Sequence, residues 1–205
     1  MDTQIIFMVG LAIFAASSTY FYFAQKKVFN SAFLVSFITI ISYTIMLEGS
    51  FSVVPWTDEG IYYTRWLFYG LSCTLLMYEI GRILGKSWQE TVFLLYLTAI
   101  VMVTGALSSY YTGMYMLSFF VISSIAYLLL IYPLLTADSP HRWAVGKYII
   151  FGWTGFPVAF ILAPEGYGLI AGGTAMALYL LFDVFTKIIF YIDLSRRTSL
   201  DERAA

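Results

Sequence analysis

The residues best suited to chemistry in this chain are Asp183 and Lys187, which lie four positions apart in an apolar segment near the C-terminus. An ionisable side chain at bilayer depth costs at least ~2.5 kcal/mol and usually marks a functional site. At a spacing of four, the carboxylate and the amine share one helix face. This arrangement suits a lysine condensed with an aldehyde as a protonated Schiff base, whose charge the aspartate balances. An ordinary buried ion pair is the alternative.

Two further ionisable residues, Arg65 and Glu79, lie within a second apolar segment. Positions 65, 68, 72, 76 and 79 recur at helical spacing, which predicts that one stripe faces the interior of a bundle. At ~1.5 Å rise per residue, Arg65 lies ~10 Å outward of Ser72 and Glu79 lies ~10 Å inward of it. The stripe therefore indicates a proton path with an outer basic gate and an inner carboxylate. The alternatives are an interfacial arginine that snorkels within an aromatic belt and a glutamate solvated at a helix end.

The composition is that of an integral membrane protein. Of 205 residues, 60% are hydrophobic and only 11% are charged, against ~25% charged residues in soluble domains. About 20 apolar residues span a bilayer as a helix. The chain contains seven such segments, at 3–25, 28–48, 60–84, 88–108, 111–136, 142–163 and 168–194. We predict an all-α membrane protein, a seven-transmembrane-helix bundle formed by a single domain over residues 1–205. The first helix follows no basic n-region and is expected to be retained.

The distribution of basic residues predicts the orientation. Nine of the eleven lysines and arginines, all except Arg65 and Lys187, lie at alternate ends of the segments or in the tail: Lys26, Lys27, Arg82, Lys86, Arg142, Lys147, Arg196, Arg197 and Arg203. By the positive-inside rule these ends are cytoplasmic, which places the N-terminus outside and the C-terminus in the cytoplasm. The opposite ends carry acidic residues instead: Asp2, Glu48, Asp58, Glu59 and Glu165.

The composition does not indicate binding of nucleic acid or of metal ions. The net charge of −1 gives no indication of nucleic-acid binding. Cys73 is the single cysteine, so no cysteine metal cluster can form. The single histidine, His141, lies in a polar loop and is expected to be solvated, so no metal site is predicted.

The sixth segment contains Trp153, Phe156 and Pro157 in the run Gly-Trp-Thr-Gly-Phe-Pro. Pro157 removes a backbone donor and should kink the helix. A kinked helix with inward aromatic rings can swing as a gate. A packed aromatic core is the alternative, since the chain has 18 phenylalanines and 17 tyrosines.

Together these features resemble the microbial rhodopsins over essentially the whole chain. The resemblance rests on seven helices, a lysine in the seventh with an aspartate four residues before it, and Trp-x-x-Phe-Pro in the sixth. It implies that all-trans retinal binds Lys187 and isomerises to 13-cis in light, with Asp183 as the counterion. The residues expected to bind the cofactor are Lys187, Tyr69, Ser72, Cys73, Trp153, Phe156, Phe160, Asp183 and Thr186.

The third helix distinguishes the subfamilies. Outward proton pumps carry carboxylates at the primary acceptor and cytoplasmic donor positions, with a threonine between them. Anchored on Arg65, these positions hold Phe68, Ser72 and Glu79, with Cys73 directly after Ser72. This pattern, with Tyr69 where outward pumps usually carry tryptophan, resembles the schizorhodopsins, which are small light-driven inward proton pumps.

Physical reasoning supports the same direction. Phe68 removes an outer proton acceptor, so Asp183 must remain ionised as the sole carboxylate counterion, which an adjacent opposite charge favours. Glu79 is then the destination of the released proton or attracts it, and reprotonation comes from outside, past Arg65. The resulting prediction is a light-driven inward proton pump, not an enzyme, in the plasma membrane of a prokaryote. The resemblance also implies a homotrimer in the lipid bilayer.

Two other functions remain as alternatives. A sensory rhodopsin would bind the same pigment without net ion transport, although the short loops and the tail at 195–205 leave little surface for a transducer. A retinal-free small-solute carrier would show internal symmetry and paired prolines on corresponding helices, which we do not find.

Overall fold

The structure is a computed structural model that describes residues 3–24, 30–49, 52–53 and 61–204, with side chains at 3–24, 30–49 and 64–197. Five helices are continuous: α1 Thr3–Phe23, α2 Asn30–Leu47, α3 Tyr63–Ile83, α4 Trp88–Tyr110 and α5 Gly113–Leu135. The sixth, α6, comprises Arg142–Lys147, a π-helical turn Tyr148–Trp153, and Gly155–Leu162. The seventh, α7, comprises Gly172–Asp183, a π-helical turn Val184–Ile189, and Phe190–Ala204.

The seven helices predicted from the sequence are confirmed. Six of those in the described ranges are long and apolar enough to cross a membrane. The remaining one, α3, is less apolar because it carries Arg65, Glu79 and Arg82. Between α2 and α3, Ser52–Val53 (β1) pairs antiparallel with Ile61–Tyr62 (β2). We call the end of the bundle that carries these strands the hairpin side, and the end at which α7 terminates the tail side.

Basic residues gather on the tail side, as the sequence predicts. Six of the nine lie at helix ends or turns there: Arg82, Lys86, Arg142, Lys147, Arg196 and Arg197. Lys26, Lys27, Asp2, Asp58, Glu59 and the side chain of Arg203 lie outside the described residues. On this side Asp193 contacts Lys147 Nζ at 2.6 Å and Arg197 Nε at 3.0 Å, and it accepts a hydrogen bond from Tyr148 Oη at 3.0 Å. These contacts tie α6 to α7.

The turn from α3 to α4 shows why the connections are short. Gly85 adopts a positive φ of 68°, which ends α3 at little steric cost. Two residues later Ser87 caps α4: its hydroxyl accepts from Glu90 N, and the Glu90 carboxylate accepts from Ser87 N. This capping box satisfies two backbone donors that the first turn would otherwise leave unpaired.

The core has two apolar halves. The tail-side half contains Leu76, Met77, Ile80 and Tyr191, among others. The half toward the hairpin side contains residues such as Phe7, Phe14, Met46 and Ala175. Along α7, the buried side chains of Asp183 and Lys187 fall between these two halves.

The two π-helical turns of α6 and α7 pack against each other, and glycines make the contact possible. A Cβ on Gly152 would collide with Thr186, and one on Gly155 would collide with the Phe182 ring. The π turn of α6 is closed by Thr154 N donating to Ile149 O, five residues earlier. The sequence predicts a distortion of this helix at Pro157. The structure places a π turn before that proline, at residues whose types do not reveal it.

Gly152→Ala is expected to lower the free energy of unfolding by about 1–3 kcal/mol, because the new methyl group forces α6 and α7 apart where they are closely packed. Thermal unfolding of the purified protein measures the effect. Gly70→Ala is the matched control: nothing lies within 4 Å of a Cβ at Gly70, so this change should be neutral or slightly stabilising. Equal melting temperatures for the two variants would contradict the packing described here.

Candidate functional site

The centre of the site is a buried ion pair. Lys187 Nζ lies 2.8 Å from Asp183 Oδ1, and the two side chains are 3% and 1% exposed. Lys187 belongs to the π turn of α7, and Asp183 is the last residue of the α-helical segment before it. Buried pairs of this kind contribute little stability compared with apolar replacements. The pair is therefore better explained by function than by folding.

Two tyrosines hold the second oxygen of Asp183. Tyr69 Oη donates to Oδ2 at 2.9 Å, and Tyr43 Oη donates to it at 3.2 Å. Hydrogen bonds to an ionised acceptor are stronger than neutral ones, so both donors stabilise a carboxylate at this position. Tyr69 is a residue that the sequence places in the site. Tyr43 on α2 is not, because nothing in its spacing connects it to a residue 140 positions away.

Lys187 has two further contacts. Its Nζ lies 3.4 Å from Thr39 Oγ1, and it lies 4.3 Å from the centre of the Tyr69 ring. An ammonium group over an aromatic face is attracted to the negative face of the ring. The lysine nitrogen therefore lies among a carboxylate, a hydroxyl and a phenol ring.

A cavity of about 130 Å³ extends from the lysine nitrogen between α3, α4, α5, α6 and α7. Its walls are mainly aromatic and apolar, with a few hydroxyls. Most residues that the sequence assigns to a cofactor pocket line it: Tyr69, Cys73, Trp153, Phe156, Phe160, Asp183, Thr186 and Lys187.

Ser72 does not line this cavity, although the sequence predicts it beside the cofactor. Its side chain is fully buried, and its Oγ lies 3.5 Å from Tyr69 O. The face of α3 that borders the cavity carries Tyr69, Cys73 and Met77. Ser72 is one position, or about 100°, away from Cys73 on the helix, so it points elsewhere.

The walls formed by α4 and α5 are missed by the sequence reasoning, because they carry no ionisable group. On α4 they comprise Thr98, Val101, Met102 and Gly105, and on α5 they comprise Phe120, Ser123, Ser124, Tyr127 and Leu130. The helical spacing of these positions is the signal that could have identified them. Gly105 also matters sterically, since a Cβ there would collide with the Trp66 ring, another part of the wall.

A second, much smaller cavity adjoins the ion pair and is shared by α2 and α3. Phe68 lines it together with Asp183, Lys187, Thr39 and Ser42. The ring of Phe68 therefore borders the same space as the carboxylate. At this point α3 presents an apolar side chain to the ion pair.

Arg65 borders both cavities and is buried, with 7% of its surface exposed. Its guanidinium carbon lies 4.1 Å from the centre of the Tyr179 ring, and Nη2 lies 3.1 Å from Met176 Sδ. Glu165, in the loop between α6 and α7, is also buried and lines the large cavity. The guanidinium is thus packed inside the bundle, which contradicts the alternative of a snorkelling arginine.

Glu79 lies on the tail side and is 4% exposed, so it is not the solvated helix terminus considered as an alternative. Its Oε2 lies 3.4 Å from Arg82 Nη1, whose side chain is largely exposed. Leu76, Met77 and Ile80, all buried, belong to the apolar cluster on this side of the bundle. Asp183 and Glu79 are therefore buried carboxylates at different depths of the bundle, and Glu165 is a third, toward the hairpin side.

Comparison with known proteins identifies the family. A sequence profile of the bacteriorhodopsin-like protein family matches residues 1–196. The chain belongs to this family. Sensory rhodopsin-2 of Natronomonas pharaonis is 23% identical over 194 residues, which is 89% of this chain and 81% of the relative. Bacteriorhodopsin-II of Haloarcula marismortui is 25% identical over 192 residues, 86% of this chain and 77% of the relative.

Solved structures support a narrower resemblance. The crystal structure of schizorhodopsin 4 is 35% identical, with a TM-score of 0.89 over 95% of this chain and 98% of that one. The schizorhodopsin-like assignment made from the sequence is thereby confirmed. Halorhodopsin, a light-driven chloride pump, has a TM-score of 0.87 over 98% of this chain and 96% of its own. At 17% identity it shares the fold alone.

Microbial rhodopsins are light-driven transporters or sensors that bind retinal through a lysine Schiff base. The residues found here fit that cofactor. A buried lysine lines a largely aromatic cavity, and a carboxylate oxygen 2.8 Å from its nitrogen can balance a positive charge. The similar proteins are named as a sensory rhodopsin, bacteriorhodopsins and a light-driven chloride pump, so the family leaves the activity to be argued from the site.

The ion pair should affect the stability of the retinal-free protein. Lys187→Met should lower the free energy of unfolding by about 3–5 kcal/mol, because it leaves Asp183 buried without its counter-charge. Adding Asp183→Asn should restore most of that loss. Thermal unfolding of the single and double variants measures both effects.

Lys147→Met is the control, since Lys147 pairs with Asp193 where both side chains are partly exposed and should contribute less than about 1 kcal/mol. A double variant no more stable than Lys187→Met alone would show that the two side chains are not energetically coupled.

Proposed function

We propose that the protein is a light-driven inward proton pump in the plasma membrane of a prokaryote. The observation that carries this proposal is the asymmetry around Lys187. On the small cavity, Asp183 faces the apolar ring of Phe68 and not a second carboxylate. On the tail side, a second carboxylate, Glu79, is buried.

The tail side is proposed to face the cytoplasm. Arg82, Lys86, Arg142, Lys147, Arg196 and Arg197 all lie there. Cytoplasmic ends of membrane helices carry an excess of lysine and arginine. This orientation places the N-terminus outside the cell and the C-terminus inside.

When bound to Lys187, all-trans retinal would supply the light-driven isomerisation to 13-cis. Aromatic side chains of the large cavity would hold it, with Trp153, Phe156 and Phe160 contributed by α6. Cys73 and Thr186 line the same space with small polar groups. In the resting protein the proton stays on the Lys187 nitrogen, because Asp183 lies 2.8 Å away as its counterion.

Asp183 is suited to hold charge and not to accept the proton. Its Oδ2 receives hydrogen bonds from Tyr43 and Tyr69, and its Oδ1 faces the lysine nitrogen. A carboxylate with this many donors loses several interactions if it is neutralised. Phe68 offers no alternative acceptor, and among the described residues no second carboxylate lines the small cavity beside Asp183.

Glu79 favours release toward the cytoplasm. A buried carboxylate on that side attracts a proton from the bundle interior, where the effective dielectric constant is low. Leu76, Met77 and Ile80 keep the tail-side interior apolar in the resting protein and so oppose proton leakage. Reprotonation from outside passes Arg65, whose guanidinium lies between the two cavities on the outer part of α3.

We further propose a homotrimer in the lipid bilayer, an expectation that comes from the schizorhodopsin resemblance. The outer faces of α4 and α5 are rich in exposed apolar side chains, such as Phe93, Val103, Ile125 and Leu128. Such a surface suits lipid as well as helix contacts between copies.

A sensory rhodopsin is the second candidate, since one of the relatives is a sensory rhodopsin. The same pigment would then change colour in light without moving ions. Light-driven proton flux in the absence of any other protein separates the two functions.

The proposal is tested by the external pH of an unbuffered suspension of cells that express the protein with all-trans retinal. Illumination should raise the external pH, and a protonophore should abolish the change. Acidification would mean that the direction is wrong. Coloured cells with no pH change would favour the sensory function.

Phe68→Asp is expected to lower the rate of inward transport at least several-fold or to abolish transport, because it restores an outer acceptor beside Asp183. Phe68→Leu, which keeps the position apolar, is the control and should pump inward. The initial rate of light-induced alkalinisation per pigment molecule measures both. Normal inward pumping by Phe68→Asp would rule out the proposed role of Phe68.

Glu79→Gln is expected to slow transfer to the cytoplasm at least several-fold without loss of the pigment, because it removes the buried carboxyl group on the tail side. The control is Glu90→Gln, since Glu90 is an exposed carboxylate on the same side of the bundle. Flash-induced pH changes and the visible spectrum measure transport and pigment separately. If Glu79→Gln and Glu90→Gln pump alike, Glu79 is not on the path.

A further inference from the structure

The Lys187 nitrogen has a second oxygen acceptor besides Asp183. Thr39 Oγ1 lies 3.4 Å from Nζ, and Thr39 is 2% exposed. The Thr39 hydroxyl donates its own hydrogen to Val35 O at 2.8 Å. Because that hydrogen is engaged, the oxygen presents lone pairs and not a proton to the nitrogen.

The two acceptors are displaced along the axis of the bundle. Helix α2 contacts the ion pair of α7 at two points: Tyr43 contacts Asp183, and Thr39 contacts Lys187. Moving from 43 to 39 on α2 is a shift of about 6 Å, one helical turn, toward the tail side. Asp183 thus contacts the nitrogen from the hairpin side, and Thr39 lies one turn closer to the tail side than Tyr43, which contacts Asp183.

The other buried hydroxyls of α2 have different partners. Ser36 Oγ accepts from Ser17 Oγ at 3.2 Å, and Ser31 Oγ accepts from Tyr191 Oη at 3.0 Å. Ser42 lines the small cavity, and its hydroxyl has no hydrogen-bond partner among the described residues. Thr39 is therefore the α2 hydroxyl that the described structure brings to Lys187.

We propose that Thr39 is a positioning residue for proton release. When light turns the N–H of the Lys187 nitrogen away from Asp183, Thr39 Oγ1 accepts that hydrogen bond and holds the N–H toward the tail side. The proton then leaves on the side of Glu79 and is not transferred to Asp183. This role rests on the inward transport proposed above, and it adds a residue on α2 that gives the transport its direction.

The experiment compares Thr39→Val, Thr39→Ser and Thr44→Val in the full-length pigment. Valine keeps the shape of threonine but removes the acceptor, and serine keeps the acceptor. Thr44→Val is the matched control, because Thr44 makes the same kind of bond to the carbonyl four residues earlier but is exposed on the outer face of α2. Resonance Raman spectra in H₂O and D₂O report the hydrogen bond of the nitrogen, and external pH reports transport.

In Thr39→Val, the H/D shift of the C=N stretch should decrease under illumination and stay unchanged in the dark, where Asp183 is the partner. Inward transport per absorbed photon should fall about tenfold, the effect of losing one hydrogen bond to a charged group. Thr39→Ser and Thr44→Val should behave as the unmodified protein does. If Thr39→Val binds no retinal, Thr39→Ala replaces it in the same comparison.

An unchanged H/D shift in the illuminated Thr39→Val or Thr39→Ala pigment would overturn the role of Thr39. So would a loss of shift and transport in Thr39→Ser equal to that in Thr39→Val. The two proposals fail separately. If the unmodified protein moves no protons inward, the proposed function is wrong, whereas the H/D shift still decides whether Thr39 is the hydrogen-bond partner in light.

Discussion

The structure depends on one costly interaction, an ammonium and a carboxylate held out of water at the centre of a seven-helix bundle. Two apolar clusters enclose the pair from either side. Such a pair is tolerated only when its geometry is good and its remaining polar atoms are satisfied. Tyr43 and Tyr69 satisfy Asp183, and Thr39 and the Tyr69 ring contact Lys187. The residues that contact the pair come from α2 and α3, so these contacts constrain the positions of both helices relative to α7.

The shape of α6 and α7 follows from the same requirement. Lys187 lies in a π turn, and the facing helix has a π turn at the same level. π turns interrupt the regular hydrogen-bond ladder and recur at functional sites. Here they are closely packed because Gly152 and Gly155 leave room for Thr186 and Phe182. The backbone irregularities therefore shape the wall of the large cavity, which Trp153, Thr186 and Lys187 line.

Much of this could be predicted from the sequence. Helix bounds agree to within a few residues for six helices, since long apolar segments have clear polar ends, and α7 extends further into the tail. Arg65, Glu79, Asp183 and Lys187 stand out because a charge in an apolar segment is rare. Tyr43 and Thr39 do not, since tyrosine and threonine are common in such helices and their partners lie on a distant part of the chain. Most of the interior stripe predicted for α3 is buried, at Arg65, Ser72, Leu76 and Glu79. The large cavity is instead bordered by Cys73, one position away from Ser72.

We propose that the proton on Lys187 leaves toward Glu79, because neither Phe68 nor Asp183 accepts it on the outer side. A single laser flash on oriented vesicles, with one impermeant pH dye trapped inside and another outside, tests it most directly. We expect a proton to appear on the tail side before one is taken up on the hairpin side. A proton that appears first on the hairpin side would contradict it.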